Sequence, residues 1–219
     1  MPRATSGWIA AAFALSLASC AAAHAAEYRA PTVRLVDPAQ LAHRDAVPYR
    51  ALTRADFRAT APPGDGAHAA EHMSAYTCAN VIPTGALMLA ARQDAAGGPF
   101  TARPQPIAMI AVIDRDCSWW NPDQRGDQQA YVLQHEQIHF AITEATAREL
   151  TRRIGALSAT GDTAEAATAA LQRRIDGVSR DATRAMAARH TDFDRDTSGR
   201  HEPALQQRWY DRLRAELRR

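Results

Sequence analysis

The sequence predicts an α+β fold, in which a small, mostly antiparallel sheet in the N-terminal half is followed by three helices. Two observations predict this order. The run from Ile107 to Asp114 is apolar up to its last residue, which is typical of a central strand. After about residue 127 the chain changes to helical spacing with capping residues and short interruptions. Strands followed by helices are the pattern of an α+β domain.

The first 25 residues predict an export signal. Arg3 supplies a positive charge, and Trp8 to Leu17 forms an apolar stretch that is too short to span a bilayer. After residue 25 the sequence has no second long apolar run. We therefore expect an exported protein, periplasmic or secreted, in which residues 26–219 form a single domain.

Two processing sites compete within this segment. Ala23-His24-Ala25 fits cleavage by an ordinary signal peptidase, which requires small residues. Leu17-Ala18-Ser19-Cys20 instead fits a lipoprotein signal that ends at Ser19, so that Cys20 becomes a lipidated N-terminus. Only the second alternative attaches the protein to a membrane, and it does so through the lipid anchor alone.

The segments between this signal and the helices predict the strands. Thr32 to Val36 is a short extended piece, and Thr77 to Arg92 is the first longer strand before Ile107 to Asp114. Gly97-Gly98-Pro99 breaks the chain between the two longer strands, as expected of a connecting loop.

Export also determines how the cysteines are interpreted. If Cys20 is removed or lipidated, Cys78 and Cys117 remain. An even pair in an oxidising compartment predicts one disulfide. Closing a loop of about 40 residues contributes on the order of 3–4 kcal/mol in the chain-entropy model. The alternative is ligation of a metal, but neither cysteine has the spacing of a zinc ligand.

Two long helices are expected to form an antiparallel hairpin. Asp127 is the candidate cap of the first, which runs to about Leu157. Asp162 and Glu165 predict a capping box for the second, which runs to about Arg189. The short connection between them favours antiparallel packing.

The rest of the chain predicts one further helix. Residues 191–200 are polar and are expected to be irregular. Pro203 suits the first position of a helix, so the C-terminal helix is expected to cover about 203–218.

The first long helix carries His135-Glu136-Gln137-Ile138-His139, an H-E-x-x-H motif. Positions i and i+4 lie one turn apart on the same helix face, so the two imidazoles can bind one Zn²⁺ together. Glu136 can then act as a general base toward a metal-bound water. Ile138 and Ile142 share the face of the histidines, which therefore points into the protein. The alternative is a pair of core histidines that bond to backbone groups.

Composition excludes one class of partner. The formal net charge is +2, and acidic residues are mixed with the basic residues, all of which are arginine. This pattern lacks the basic footprint of a nucleic-acid-binding protein. We expect a protein or peptide substrate as the partner.

The chain resembles a family of bacterial proteins identified as predicted secreted zinc-dependent proteases, the domain of unknown function 922. The resemblance covers roughly residues 45–218 and implies a zincin-like peptidase domain. One position departs from the family pattern, because Gly199 stands where the family has histidine, and the nearest histidine is His201. The matching motifs are Leu52 to Phe57, Ser118-Trp119, His135 to Phe140, Glu144, Ala147 to Leu150, Phe193 to Thr197, Gln206 and Trp209.

A third zinc ligand must come from another segment, since a catalytic zinc takes three protein ligands and keeps one open position. Ile142 and Ala145 occupy the positions of the metzincin Gly and third His. Glu144 lies on the opposite helix face. The candidates are His201, Asp194, His190, Glu165 and Glu202. We favour His201, which lies near the family-like stretch, and take Asp194 as the alternative.

The expected function is an exported zinc peptidase in which Glu136 is the general base on a zinc-bound water. Tyr131 and Tyr210 are candidates for stabilising the oxyanion. The alternative is a non-catalytic metal-binding envelope protein or lipoprotein that serves as an interaction module. The intact Glu136 favours the enzyme, because a structural metal site does not use a base, whereas the Gly199 departure favours the alternative.

Overall fold

The computed structural model describes residues 28–29, 45–63, 73–93, 95–198 and 201–218. The described chain is α+β, with antiparallel strands followed by three helices, as the sequence predicts. The expected signal segment 1–25 with Cys20, and the extended piece 32–36, lie outside the described residues. Within the described residues, no helix is long and apolar enough to cross a membrane.

Strand pairing in the described chain produces three small sheets where the sequence predicted one. Adjacent strands within each sheet are antiparallel, and an isolated bridge between Ala59 and Trp119 is parallel. In spatial order, the first sheet contains β1 (Tyr28–Arg29), β5 (Leu89–Gln93), β6 (Phe100–Pro104) and β9 (Ala159–Gly161). The second sheet contains β2 (Ala46–Pro48), β7 (Met109–Asp114) and β4 (Ala79–Pro83). The third sheet contains β3 (Ala75–Tyr76) and β8 (Trp119–Trp120).

The predicted strand from Thr77 to Arg92 is two strands. β4 ends at Pro83 and pairs with β7, whereas β5 begins at Leu89 and pairs with β6. Proline lacks an N–H for a ladder bond, and Thr84-Gly85 follows it as a bend, so the chain leaves one sheet and enters another. The apolar run that ends at Asp114 is confirmed as a central strand, β7, between β2 and β4.

Helix α1 (Gln129–Gly155) carries the H-E-x-x-H motif. Its N-terminus differs from the prediction: Asp127 lies in a preceding 3₁₀ turn, Gly126–Gln128, and Gln128 is the N-cap residue without a side-chain cap bond. The residues from Phe140 to Ala147 are all buried. A helix buried on every face is the central element of its domain, so α1 packs between the sheets and the other two helices.

Helix α2 (Ala164–Thr197) is longer than predicted at its C-terminal end. Thr163, and not Asp162, is its N-cap residue, with the hydroxyl accepting from the Ala166 N–H at 3.1 Å. The helix continues through residues 191–197, which the sequence predicted to be irregular. Phe193 and Thr197 of this segment are buried against α1, so tertiary packing stabilises helix where the composition is polar.

The C-terminal helix and the disulfide agree with the prediction. Helix α3 (Pro203–Leu217) begins with proline in its first turn. Cys78 and Cys117 form a disulfide with a Cα–Cα distance of 5.6 Å, and it links the residue before β4 to the turn before β8. The two sulfur atoms are bonded to each other, so the alternative of thiolate metal ligands is not realised.

Candidate metal centre

Two helices bring three potential ligand atoms to one point. His135 and His139 lie one turn apart on α1, and Asp194 lies near the end of α2. The His139 Nε2 atom is 3.1 Å from the His135 Nε2 atom and 3.0 Å from the Asp194 Oδ1 atom. The third side of the triangle, from His135 Nε2 to Asp194 Oδ1, is 3.3 Å. The antiparallel packing of α1 on α2 creates this convergence.

The other ring nitrogen of His135 is engaged by Thr197. The Thr197 hydroxyl donates to the Phe193 carbonyl oxygen at 2.7 Å, and a hydroxyl has only one proton to donate. It therefore accepts from the His135 Nδ1 atom, 3.4 Å away. This assigns the proton of neutral His135 to Nδ1 and leaves the lone pair of Nε2 directed at the convergence point.

His139 has a corresponding partner in His190. The two Nδ1 atoms are 2.8 Å apart, and the rings are nearly stacked, with centroids 5.1 Å apart and an interplanar angle of 30°. His190, Asp194 and Thr197 are spaced i, i+4 and i+7, so one face of α2 contacts both histidines of α1.

The side chain of Phe193 packs against both imidazoles. Phe193 is fully buried, and its ring centroid lies 4.5 Å from that of His135 and 5.0 Å from that of His139. On its other side Phe193 contacts Trp209 of α3 with centroids 5.6 Å apart. The histidine rings therefore rest on a packed core and have little freedom to rotate.

The electrostatics of the cluster favour positive charge at the convergence point. Burial opposes protonation of His139, but its hydrogen bond to Asp194 and the charge of Glu136 outweigh burial and raise the His139 pKa. Burial likewise opposes ionisation of Asp194, but the hydrogen bonds that His135 and His139 donate when their Nε2 atoms are protonated hold its pKa well below the usual range. Burial and the neighbouring His139 lower the pKa of His190 to about 4, so His190 is neutral near pH 7.

One side of the cluster is open to solvent. The Asp194 side chain is 47% exposed, whereas those of His135 and His139 are 14% and 16% exposed. Glu136, which follows His135 along α1, is only 4% exposed, and its charge helps to raise the pKa of His139. The site thus combines the buried carboxylate of Glu136 with a solvent-accessible side at Asp194.

The donor set fits a divalent zinc ion. Zinc takes imidazole nitrogen and carboxylate oxygen at about 2.0–2.2 Å in tetrahedral geometry, which places adjacent ligand atoms about 3.3 Å apart. The separations of 3.0, 3.1 and 3.3 Å are close to that value. Three protein ligands leave a fourth position, and the exposed side of Asp194 is where it can lie.

The structure does not bring His201 to this cluster. The described residues that converge are His135, His139 and Asp194, whereas the exposed His201 ring lies against the Tyr131 ring with centroids 4.4 Å apart. His201 follows α2 in the chain, and its ring lies beside Tyr131 in the first turn of α1, away from the ligand triangle. Asp194, the alternative from the sequence, occupies the third corner.

The remaining candidates lie elsewhere. Glu165 is in the first turn of α2, 29 residues from Asp194 and therefore about 40 Å away along the helix axis. Glu144 accepts from the Ala111 N–H at 3.2 Å and from Arg148 at 2.8 Å, so it connects α1 to β7. Glu202 donates its backbone N–H to the Tyr131 hydroxyl at 3.3 Å.

The two candidate oxyanion stabilisers have structural contacts. The Tyr131 hydroxyl accepts from the Glu202 N–H and donates to the Thr197 carbonyl oxygen at 3.3 Å, so its proton is already used. Tyr210 is half-buried and packs beside the core formed by Phe193 and Trp209. Neither tyrosine has a contact with the ligand triangle in the described hydrogen bonds.

The flanking family-like motifs hold the motif helix in place. The Gln137 side chain accepts from the Leu52 N–H at 2.7 Å and donates to the Arg50 carbonyl oxygen at 3.2 Å. On α3, buried Gln206 donates to the Tyr131 carbonyl oxygen at 2.9 Å, and Trp209 donates to the Asp196 carboxylate at 3.1 Å. Leu52, Gln206 and Trp209 of these motifs therefore position α1 and α2, whereas Asp194, in the motif from Phe193 to Thr197, lies at the ligand triangle.

Sequence reasoning named His190 only as a candidate ligand, whereas its Nδ1 atom contacts the Nδ1 atom of His139 and it lies outside the ligand triangle; the contact of Thr197 with His135 was also missed. A usable signal exists, because His190, Phe193, Asp194 and Thr197 follow the i, i+3, i+4, i+7 spacing of one helix face. It was hidden by the expectation that the helix stops near Arg189.

No curated protein and no solved structure matches this chain significantly. A family model does match residues 121–202, and it is described as a bacterial protein of unknown function (DUF922). The matched residues include all of His135, His139, His190, Asp194 and Thr197, together with Glu136. The resemblance to this family found in the sequence is thereby confirmed for residues 121–202, and this matching segment contains the whole candidate metal centre.

Proposed function

We propose that the protein is an exported zinc-dependent peptidase, with His135, His139 and Asp194 as zinc ligands and Glu136 as the general base. One observation carries the proposal. Two imidazole Nε2 atoms and a carboxylate oxygen, all hydrogen-bond acceptors in the ligand tautomer, converge within 3.0–3.3 Å of one another. Acceptor atoms at this separation repel unless they share a proton or a cation.

The buried Glu136 distinguishes a catalytic site from a structural one. Structural zinc sites usually have four protein ligands, whereas three of the described residues form this cluster, and one side of it is accessible. When bound, zinc would supply a Lewis acid that polarises a peptide carbonyl and acidifies water. Glu136 lies on the same helix, between the two histidine ligands, and can take the proton from the attacking water.

The subsequent proton transfer also belongs to Glu136. After attack, its protonated carboxyl donates to the nitrogen of the leaving amine, so that one residue acts first as base and then as acid. His135 and His139 are held by Thr197 and His190 through their Nδ1 atoms, which keeps both Nε2 atoms directed at the same point. The substrate would enter from the exposed side of Asp194.

Export is supported by the disulfide. Cys78–Cys117 joins two loops, and disulfides of this kind persist in the periplasm or outside the cell. Together with the N-terminal segment described above, it favours a site of action in the bacterial envelope. The substrate would then be a protein or peptide in that compartment.

Glu136→Gln tests the enzyme against the alternative of a non-catalytic metal-binding module. The amide is nearly isosteric, so zinc content should equal that of the wild type. It cannot accept the proton of water, so hydrolysis of casein-like or cell-wall peptides should fall by about 10²–10⁴-fold. Glu149→Gln, an exposed change on the same helix, is the matched control and should keep full activity. Equal activity of wild type and Glu136→Gln would refute the assignment.

A further inference from the structure

We infer that His190 is a positioning residue for the metal centre: it holds His139, through the Nδ1–Nδ1 contact, in the tautomer and orientation that direct His139 Nε2 at the metal. This inference rests on the proposed function, because it presupposes a metal at the cluster. It assigns a role to His190, which contacts a proposed ligand residue but is not itself one of the three proposed metal ligands.

The contact has a defined donor and acceptor. When His139 Nε2 is a ligand, the neutral ring carries its proton on Nδ1, and that proton points at His190 Nδ1, 2.8 Å away. His190 must then accept at Nδ1 and carry its own proton on Nε2. A ligand histidine normally donates its second N–H to a carboxylate, a carbonyl or water, and here a second imidazole takes that place.

Other contacts do not replace this one. The described bonds of His139 run to His135, Asp194 and His190, and only the last involves Nδ1. Phe193 contacts the ring through its face and has no acceptor. Without His190, the Nδ1 proton of a largely buried imidazole loses its acceptor, and the ring is free to adopt the other tautomer or to turn.

His190 also stacks on His139, so a purely steric role must be separated from hydrogen bonding. Two substitutions do this. Asn places its Oδ1 atom close to the position of Nδ1, so His190→Asn keeps an acceptor and loses the ring. His190→Phe keeps the stacked ring and loses the acceptor.

Zinc affinity, measured by competition with a chromophoric chelator, gives the first readout. Loss of such a partner typically costs 10–100-fold in metal affinity, so His190→Phe should bind zinc about 10–100-fold more weakly than the wild type. His190→Asn should stay within about 3-fold of the wild type. His201→Asn, a histidine against Tyr131 and outside the cluster, is the matched control and should be unchanged.

Imidazole nitrogen NMR of the zinc-bound protein gives the second readout. The wild type and His190→Asn should show His139 as the Nδ1–H tautomer, with a proton that exchanges slowly. In His190→Phe this proton should exchange faster. Circular dichroism and thermal unfolding check that each variant is folded.

Each result has one meaning. Rescue by Asn but not by Phe supports the inference. Equal affinities in all variants overturn it, because His190 then has no role in zinc binding. A loss in His190→Asn that equals or exceeds the loss in His190→Phe also overturns it, because an acceptor without the ring then does not suffice. If the wild type itself binds no zinc, the proposed function fails first, and that outcome is distinct from both of these.

Discussion

Two carboxylates of this protein, Asp56 and Asp194, are both held in the ionised form, but by different kinds of partner. Asp56 is 1% exposed and accepts two hydrogen bonds from Arg50 and two from Thr53. Asp194 is 47% exposed, and its partners are His135 and His139, with Ser198 at 3.3 Å. The first carboxylate is surrounded by permanent donors, whereas the second faces rings that can be neutral.

The difference separates a structural carboxylate from a ligand. An arginine is charged at every relevant pH, so Asp56 has its cation within the fold. The imidazoles beside Asp194 have their Nδ1 atoms engaged by Thr197 and His190, and they present Nε2 lone pairs when neutral. Asp194 therefore needs a cation or protons from outside the chain. The Asp194 site should therefore depend on zinc, whereas the Asp56 site should not.

The largest expected effect is on zinc binding. Asp194→Asn removes the anionic ligand, so zinc affinity should fall by on the order of 100-fold or more, beyond the effect typical of a hydrogen-bonding partner of a ligand. Asp56→Asn should leave the affinity unchanged. Competition with a chelator measures both. Equal losses of zinc affinity in the two variants would contradict the assignment of a ligand role to Asp194 and a structural role to Asp56.

The free energy of unfolding should show the reverse order, with a larger loss in Asp56→Asn than in Asp194→Asn. Lowering the Asp56 pKa from 3.8 to about 2 corresponds to about 2 kcal/mol, so Asp56→Asn should destabilise metal-free protein by about that amount. Asp194→Asn should cost less than about 1 kcal/mol without zinc, because half-exposed ion pairs contribute little. Urea unfolding in the presence of a chelator measures both values. A larger loss in Asp194→Asn would reverse the assignment of the two roles.

Acid should reveal the same contribution of Asp56. Burial raises its pKa, but the hydrogen bonds from Arg50 and Thr53 outweigh burial and lower it to about 2. Because the folded pKa lies below the unfolded value, the stabilisation is present above about pH 4 and is lost as the pH falls toward 2. Wild-type stability should decline in this window more steeply than that of Asp56→Asn. Parallel curves of free energy of unfolding against pH would contradict this explanation.

The sequence predicts the local features of the fold and of the candidate site better than it predicts where the helices end. The i, i+4 spacing of His135 and His139 follows from helix geometry alone, and the class of the fold follows from one apolar strand and long helical segments. These features are local. The disulfide also follows from counting cysteines, since Cys78 and Cys117 are the two cysteines outside the expected export signal.

The third corner of the triangle depends on tertiary packing. Residues 191–197 are polar, and only burial of Phe193 and Thr197 against α1 and α3 makes them helical. If α2 is thought to end near Arg189, Asp194 belongs to a loop and has no defined direction. Once the helix continues, Asp194 is one turn from His190 and faces α1. Local propensity could not supply this, because the contacts of His190 and Asp194 with α1 join residues 50 or more positions apart along the chain.

The smallest expected effect concerns His201, which the sequence favoured as the third ligand. In the structure its exposed ring packs on Tyr131, and Asp194 lies with the two motif histidines instead. His201→Asn should therefore change zinc affinity by less than about 2-fold, well below the loss expected for a ligand. Asp194→Asn is the paired comparison on the same assay. If His201→Asn instead abolished zinc binding while Asp194→Asn did not, His201 would have to supply the ligand, and Asp194 would join Asp56 as a structural carboxylate.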